Sequence, residues 1–110
     1  MDSIASTPSP PYTAVIFTSV ASADNAGYAA TAARMYELAQ QQPGYLGAES
    51  ARETIGITVS YWATEGDAKA WKQVLEHAEA QRLGRERWYD QYIVRVATVT
   101  REYGTTPDRS

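Results

Sequence analysis

A single imidazole in 110 residues limits where unassisted proton transfer near neutrality can sit. His77 has an unperturbed pKa of about 6.5, so it can act as base or acid there without help. It lies in EHAEAQRLGRERWYDQY (76–92), beside Glu76 and Glu79, and the plain alternative is a solvated helix-end histidine. Arg95 lies between Val94 and Val96 and, by strand alternation, shares a face with Ile93 and Ala97. A guanidinium inside a sheet requires an acceptor. Glu49 on a neighbouring strand can supply one, and so can a substrate oxyanion. Trp62, Trp71 and Trp88, with Tyr61, Tyr89 and Tyr92, are suited to line a pocket for a flat aromatic ligand, or to form core and interface. Trp62 and Tyr61 alternate to opposite faces and cannot share one cavity, so the three tryptophans are expected near a space between sheet and helices. Thr18, Ser60 and Tyr92 offer strand hydroxyls for a substrate carbonyl. Arg85 and Arg87 read as solvated charges near Glu86 and Asp90.

Composition removes several classes. The length suits one domain, and 44% apolar residues suit a folded one. The net charge of −3, with acids and bases interspersed, gives no basic stripe for nucleic acid. No apolar run approaches the roughly 20 residues of a membrane span. The absence of cysteine excludes disulfides, thiolate chemistry and cysteine-built zinc sites. One histidine makes a histidine-rich metal site a poor expectation. MDSIASTPSPPY has neither the positive nor the apolar region of a secretory signal, so a cytoplasmic location is expected. There is no Ser/His/Asp motif, phosphate-cradling loop or dinucleotide fingerprint.

Six elements must position the candidates. Residues 1–11, rich in Ser, Thr and Pro, are expected as a flexible arm. YTAVIFTSV (12–20) reads as a strand that is apolar on both faces, so both faces should be covered. Asp24 or Asn25 can cap a helix whose stripe is Tyr28, Ala32, Met35, Leu38 and Ala39, stopped by Pro43-Gly44. Residues 45–53 form a weaker strand, 54–56 a turn and 56–63 a strong strand. Thr64 caps a second helix whose apolar stripe is Trp71, Val74, Leu75 and Ala78. Gly84 interrupts it, RERWYDQ (85–91) adds a short helical turn, and 92–103 is the last strand, with a polar tail at 104–110. The order is β-α-β-β-α-β, an α+β, ferredoxin-like pattern with a four-stranded antiparallel sheet and both helices on one face. The uncovered face, to which Val94 and Val96 are assigned, should pack against a second copy as a homodimer.

ARMYELAQQQPGYLGAES (33–50), GITVSYW (56–62), AWKQVLEHAEAQ (70–81) and GRERWYDQYIVRVATV (84–99) resemble the antibiotic biosynthesis monooxygenase family over residues 12–103. The resemblance implies a dimeric α+β barrel. It implies a cofactor-independent monooxygenase of a phenolic, anthrone-like or quinol substrate, in which the ionised substrate itself reduces dioxygen. His77 would be the proton acceptor, and Arg95 or a tyrosine hydroxyl would stabilise the oxyanion. The family also contains haem-degrading members, which carry an Asn on the first strand, a Trp on the second helix and a His further along it. Here Trp71 matches, Thr18 stands near the Asn position, and the His position falls near Gln81, one turn past His77. One match in three argues against haem degradation. A non-catalytic dimer that binds a small hydrophobic ligand is the other reading.

Overall fold

The computed structural model describes residues 3–21, 28–80 and 89–105. It contains β1 (Tyr12–Ala21), α1 (Tyr28–Gln40), β2 (Tyr45–Arg52), β3 (Ile55–Trp62), α2 (Glu65–Ala80) and β4 (Tyr89–Val99). The strands form one antiparallel sheet in the order β2-β3-β1-β4. Strands β1 and β2 are therefore parallel to each other with β3 between them, and β3 and β4 are parallel with β1 between them. Two interleaved split βαβ units result, the ferredoxin-like arrangement.

Local chemistry sets the element ends. Past α1, the amides of Gln41 and Gln42 donate to the carbonyls of Leu38 and Ala39 at 3.1 and 3.0 Å. Gly44 then takes φ = 81°, in the left-handed region where glycine is least strained. A Cβ there would also overlap the Asp67 side chain. The Thr64 hydroxyl accepts the Asp67 amide at 3.0 Å, and Glu65 and Asp67 occupy the positive first turn of α2. The amide of Ala63 donates to the Gly44 carbonyl at 2.8 Å, tying together the entries to β2 and α2.

The last strand departs from expectation at both ends. Tyr89 and Gln91 pair with Ala21 and Val20, so 89–91 are strand and not part of a helical turn. Residues 85–88 of that expected turn lie outside the described residues. Long β1 offers ladder partners there, and pairing outweighs local helical preference. At the other end Val99 pairs with Tyr12, where β1 begins, so β4 stops for want of a partner and does not run to 103.

Both helices lie on one face of the sheet. There Trp62 stacks on Trp71 (5.7 Å, 25°) and receives the edge of Tyr45 (5.6 Å, 78°). Ala39 and Ala68 complete the buried cluster, and Val15, Leu38, Val74 and Leu75 pack against it. Ala39 on α1 and Ala68 on α2 are small, which leaves room for the two large rings, Trp62 from β3 and Trp71 from α2, between sheet and helices.

The register corrects two assignments. Val94 and Val96 pair with Phe17 and Val15, and Val15 packs on the tryptophan cluster. Both valines therefore stand on the helix-side face of an edge strand, not on the outer face. Arg95 does share the outer face with Glu49, but β3 and β1 separate their strands, so they are not neighbours. Glu49 instead accepts the Tyr61 hydroxyl at 2.7 Å and the Ala5 amide at 2.9 Å.

The outer face has two ends of different character. Around Thr18 it presents Ile57 and Ile93, its direct partners, and Ile55, and all three isoleucines are exposed. At the other end Tyr12 meets Tyr61 edge-on at 5.8 Å, and residues 3–11 cross over them. The Glu102 carboxylate accepts from Tyr12 (2.5 Å) and Thr7 (2.9 Å). A Cβ on Gly47 would press on Ala5 at 2.8 Å. The arm carries no secondary structure and is held here by hydrogen bonds.

Two phenols link this packing to pH. Burial, with Tyr36 nearby, pushes Tyr45 from 10.0 up to about 12. Burial, and then the hydrogen bond to Glu49, pushes Tyr61 up as well. A folded chain that holds these protons longer than the unfolded chain keeps the full benefit below pH 10 and loses it as pH rises through the folded values. Denaturant melts should be flat to about pH 9.5 and weaken steadily between about pH 10 and 12. Stability unchanged over that window would show that neither phenol is held neutral by the fold.

Candidate functional site

Register arranges the helix-side face in four rows that run across the sheet. Tyr45, Trp62, Thr13 and Thr98 form the first; Ala48, Ser60, Val15 and Val96 the second. Ser50, Thr58, Phe17 and Val94 form the third; Arg52, Gly56, Ser19 and Tyr92 the fourth. The β1 and β3 members of the first two rows lie at or beside the tryptophan cluster, while Val96 and Thr98 on edge strand β4 are exposed. The last two carry hydroxyls, a guanidinium and a pair of rings.

In that second half Phe17 and Tyr92 stack at 5.5 Å and 24°. Tyr92 is 57% exposed, so this ring pair sits at the protein surface. The Ser50 and Thr58 hydroxyls lie 2.9 Å apart. The Arg52 side chain turns inward from edge strand β2, crosses Gly56 and donates to the Ser19 hydroxyl. A Cβ on Gly56 would occupy the space of that guanidinium. Hydrogen-bond donors and a flat ring surface thus meet at one end of the sheet, with the stacked tryptophans closing the other.

The candidate residues divide among these regions. Trp62 is fully buried, and its indole N–H donates to the buried Ser60 hydroxyl at 2.9 Å. Trp71, 6% exposed, lies against it. Tyr92 belongs to the open half of the same face. Thr18 and Arg95 stand on the outer face, paired across strands with Ile57 and Ile93, and with Ile16. The sheet separates them from the tryptophans within one protomer. His77 falls in α2, which runs from the Trp62 end back toward the fourth row and carries position 77 about 9 Å beyond Trp71. Its side chain, and all of Trp88, lie outside the described residues.

Arg52, Ser19, Phe17 and Thr58 were not singled out by sequence reasoning. Gly56 was the available signal. A glycine inside a strand marks a close approach by something else, which here is an arginine from the next strand.

Among the described residues no group of three His, Cys, Asp or Glu is placed to hold a metal, and no helix is long and apolar enough to cross a membrane.

Known proteins share this architecture. The uncharacterized protein YqjZ of Bacillus subtilis (strain 168) is 51% identical over 104 residues, covering 93% of this chain and 91% of its own. SnoaB, a cofactor-independent oxygenase from Streptomyces nogalater, superposes with a TM-score of 0.61 at 16% identity, over 89% of this chain and 99% of its own. The haem-degrading protein Rv3592 from Mycobacterium tuberculosis superposes with a TM-score of 0.54 at 17% identity, over 87% and 100%. Identities this low establish a common fold, and the same fold serves two chemistries in those two proteins. The antibiotic biosynthesis monooxygenase model matches residues 11–83, more than half of the sequence. With the four-stranded sheet and two helices in the expected order, the chain belongs to the antibiotic biosynthesis monooxygenase family.

Proposed function

We propose that this protein is a monooxygenase that needs no cofactor and acts on a phenolic, anthrone-like or quinol substrate bound on the helix-side face. The observation that carries the reading is the juxtaposition of the stacked Phe17–Tyr92 rings with the Ser50, Thr58 and Ser19 hydroxyls on the helix-side face. Rings of this kind hold a flat aromatic ligand, and hydroxyls orient its oxygens. The four rows themselves contain neither carboxylate nor imidazole, so the proton acceptor is sought among residues outside the strands. His77 is the group assigned to that role. Tyr92 is a wall of the site, and Ser60, Trp62 and Trp71 support its floor. Thr18 and Arg95 act in the contact between two copies. Trp88 is proposed to complete the wall from the segment before β4.

In this scheme His77 takes a proton from the substrate, and the resulting anion gives an electron to dioxygen. For an anthrone the overall change is a methylene plus O₂ giving a carbonyl plus water. The protein contributes orientation, exclusion of water and a bias toward the ionised substrate. An oxygen electrode with a panel of anthrones and quinols tests this. Wild-type protein should consume oxygen with at least one substrate, and His77→Ala should be slower by about 10²-fold or more. Equal rates would remove His77 from the mechanism. Tight binding of the same compounds without oxygen uptake would favour a small-molecule binding protein on the same face.

A further inference from the structure

The arm divides the outer face of the sheet. Its Tyr12–Tyr61 end is covered, and Tyr12 and Ala14 are buried there. The row bordering the arm runs Glu49, Val59, Ile16 and Arg95, one residue from each strand in spatial order. An acid thus stands on edge strand β2 and a base on edge strand β4, with two half-buried apolar side chains between them. The next row out is Ala51, Ile57, Thr18 and Ile93, with its isoleucines 45% and 48% exposed. Arg95 is exposed, and among the described residues no carboxylate pairs with it. Glu49 accepts one hydrogen bond on each oxygen, from Tyr61 and from the Ala5 amide, and no described cation pairs with it. A carboxylate offers about four acceptor sites, so roughly two of those on Glu49 remain for a further donor. Opposite charges at the two ends of one apolar row make that row complementary to a reversed copy of itself.

We infer that a second copy packs on this open half about a two-fold axis parallel to the strands, so that Arg95 of each copy pairs with Glu49 of the other. Such an axis sets β4 over the other copy's β2 and leaves every residue at its own height along the strands. Arg95 and Glu49 already share a row, so both contacts form at once. An axis across the strands would set β4 over β4 and β2 over β2, and the base would never meet the acid. Packed sheets lie about 10 Å apart, a gap that an arginine and a glutamate can span together. Covering Val59, Ile16, Ile57 and Ile93 excludes water from between the pairs and strengthens them. This rests on two copies meeting through their outer faces, and it adds how they are oriented and which residues set that orientation.

Complementary charge reversal tests the pairing in the full chain, read by sedimentation equilibrium over a dilution series. Arg95→Glu places two like-charged contacts in its own dimer, and so does Glu49→Arg. Each variant alone should raise the dimer dissociation constant by about 10²-fold or more. In a mixed dimer of the two variants both contacts are again acid against base, so an equimolar mixture should return to within about tenfold of wild type. Arg95→Glu that dimerises as wild type does overturns the pairing, and so does a mixture no tighter than its components. A wild-type chain that stays monomeric throughout refutes the outer-face contact itself. Glu49→Arg also gives up the Tyr61 and Ala5 hydrogen bonds and is the variant at risk of not folding. Cysteine replacement then decides, because the sequence has no cysteine of its own. A short bis-maleimide should join Arg95→Cys to Glu49→Cys as covalent heterodimers, seen by intact mass, and should leave Arg95→Cys alone unjoined. Arg95→Cys joined to itself, or a mixture with no joined product, overturns the inference.

Discussion

Replacing Trp62 by alanine is expected to cost about 3–5 kcal/mol, the usual range for removing a large aromatic from a core. Folded domains typically hold only about 5–15 kcal/mol in all, so this one change should leave the chain barely folded. The ring has no exposed surface, stacks on Trp71, receives the edge of Tyr45 and donates to Ser60. Its loss would open a cavity under both helices and leave a buried hydroxyl without its donor. Tyr92→Ala is the matched control, on the same face but 57% exposed, and should cost about 1 kcal/mol or less. Urea and thermal melts of the two variants make the comparison, and Trp62→Ala should lower Tm by about 10 °C or more. A loss under 1 kcal/mol for Trp62→Ala would mean that the tryptophan pair is not the centre of the core.

The second large effect concerns association. If two copies meet through their outer faces, as the dimeric reading of the family implies, Ile57 and Ile93 lie at the contact, flanking Thr18. Ile57→Lys or Ile93→Lys would then bury a charge without a partner, at a cost of several kcal/mol. Dimer dissociation constants should rise by about 10²-fold or more. Val94→Lys, one residue away in sequence but on the opposite face of an exposed edge strand, should leave the mass unchanged. Light scattering across a dilution series reads all three. A dimer that survives Ile57→Lys but not Val94→Lys would place the contact on the helix-side edge.

Much of this fold is legible without coordinates, for reasons that can be assigned to residues. Thr64 followed by Glu65 and Asp67 marks a helix start, and Pro43-Gly44 marks a stop, because the chemistry of helix ends is local. The apolar stripe of α2, Trp71 with Val74 and Leu75, is periodic and therefore visible. The face on which Val94 and Val96 stand is not visible, since β4 carries apolar groups on both sides and alternation separates two faces without naming them. Pairing Arg95 with Glu49 overlooks strand order, which the ferredoxin-like topology would itself have supplied. Arg52 was hidden for another reason. Its importance depends on three strands in one register, and β2, diluted by alanine and glycine, gives too weak a pattern to fix that register alone.

The crossing of residues 3–11 over the Tyr12–Tyr61 end has a practical corollary for anyone preparing the protein. The Ala5 amide is tied to Glu49, and Thr7 to Tyr12 and Glu102, within a few residues of the first methionine. A purification tag fused at that terminus pulls on this strap and crowds the same surface on which copies would meet. Material tagged at the opposite end, or with the tag removed, is the appropriate sample for every mass measurement described above.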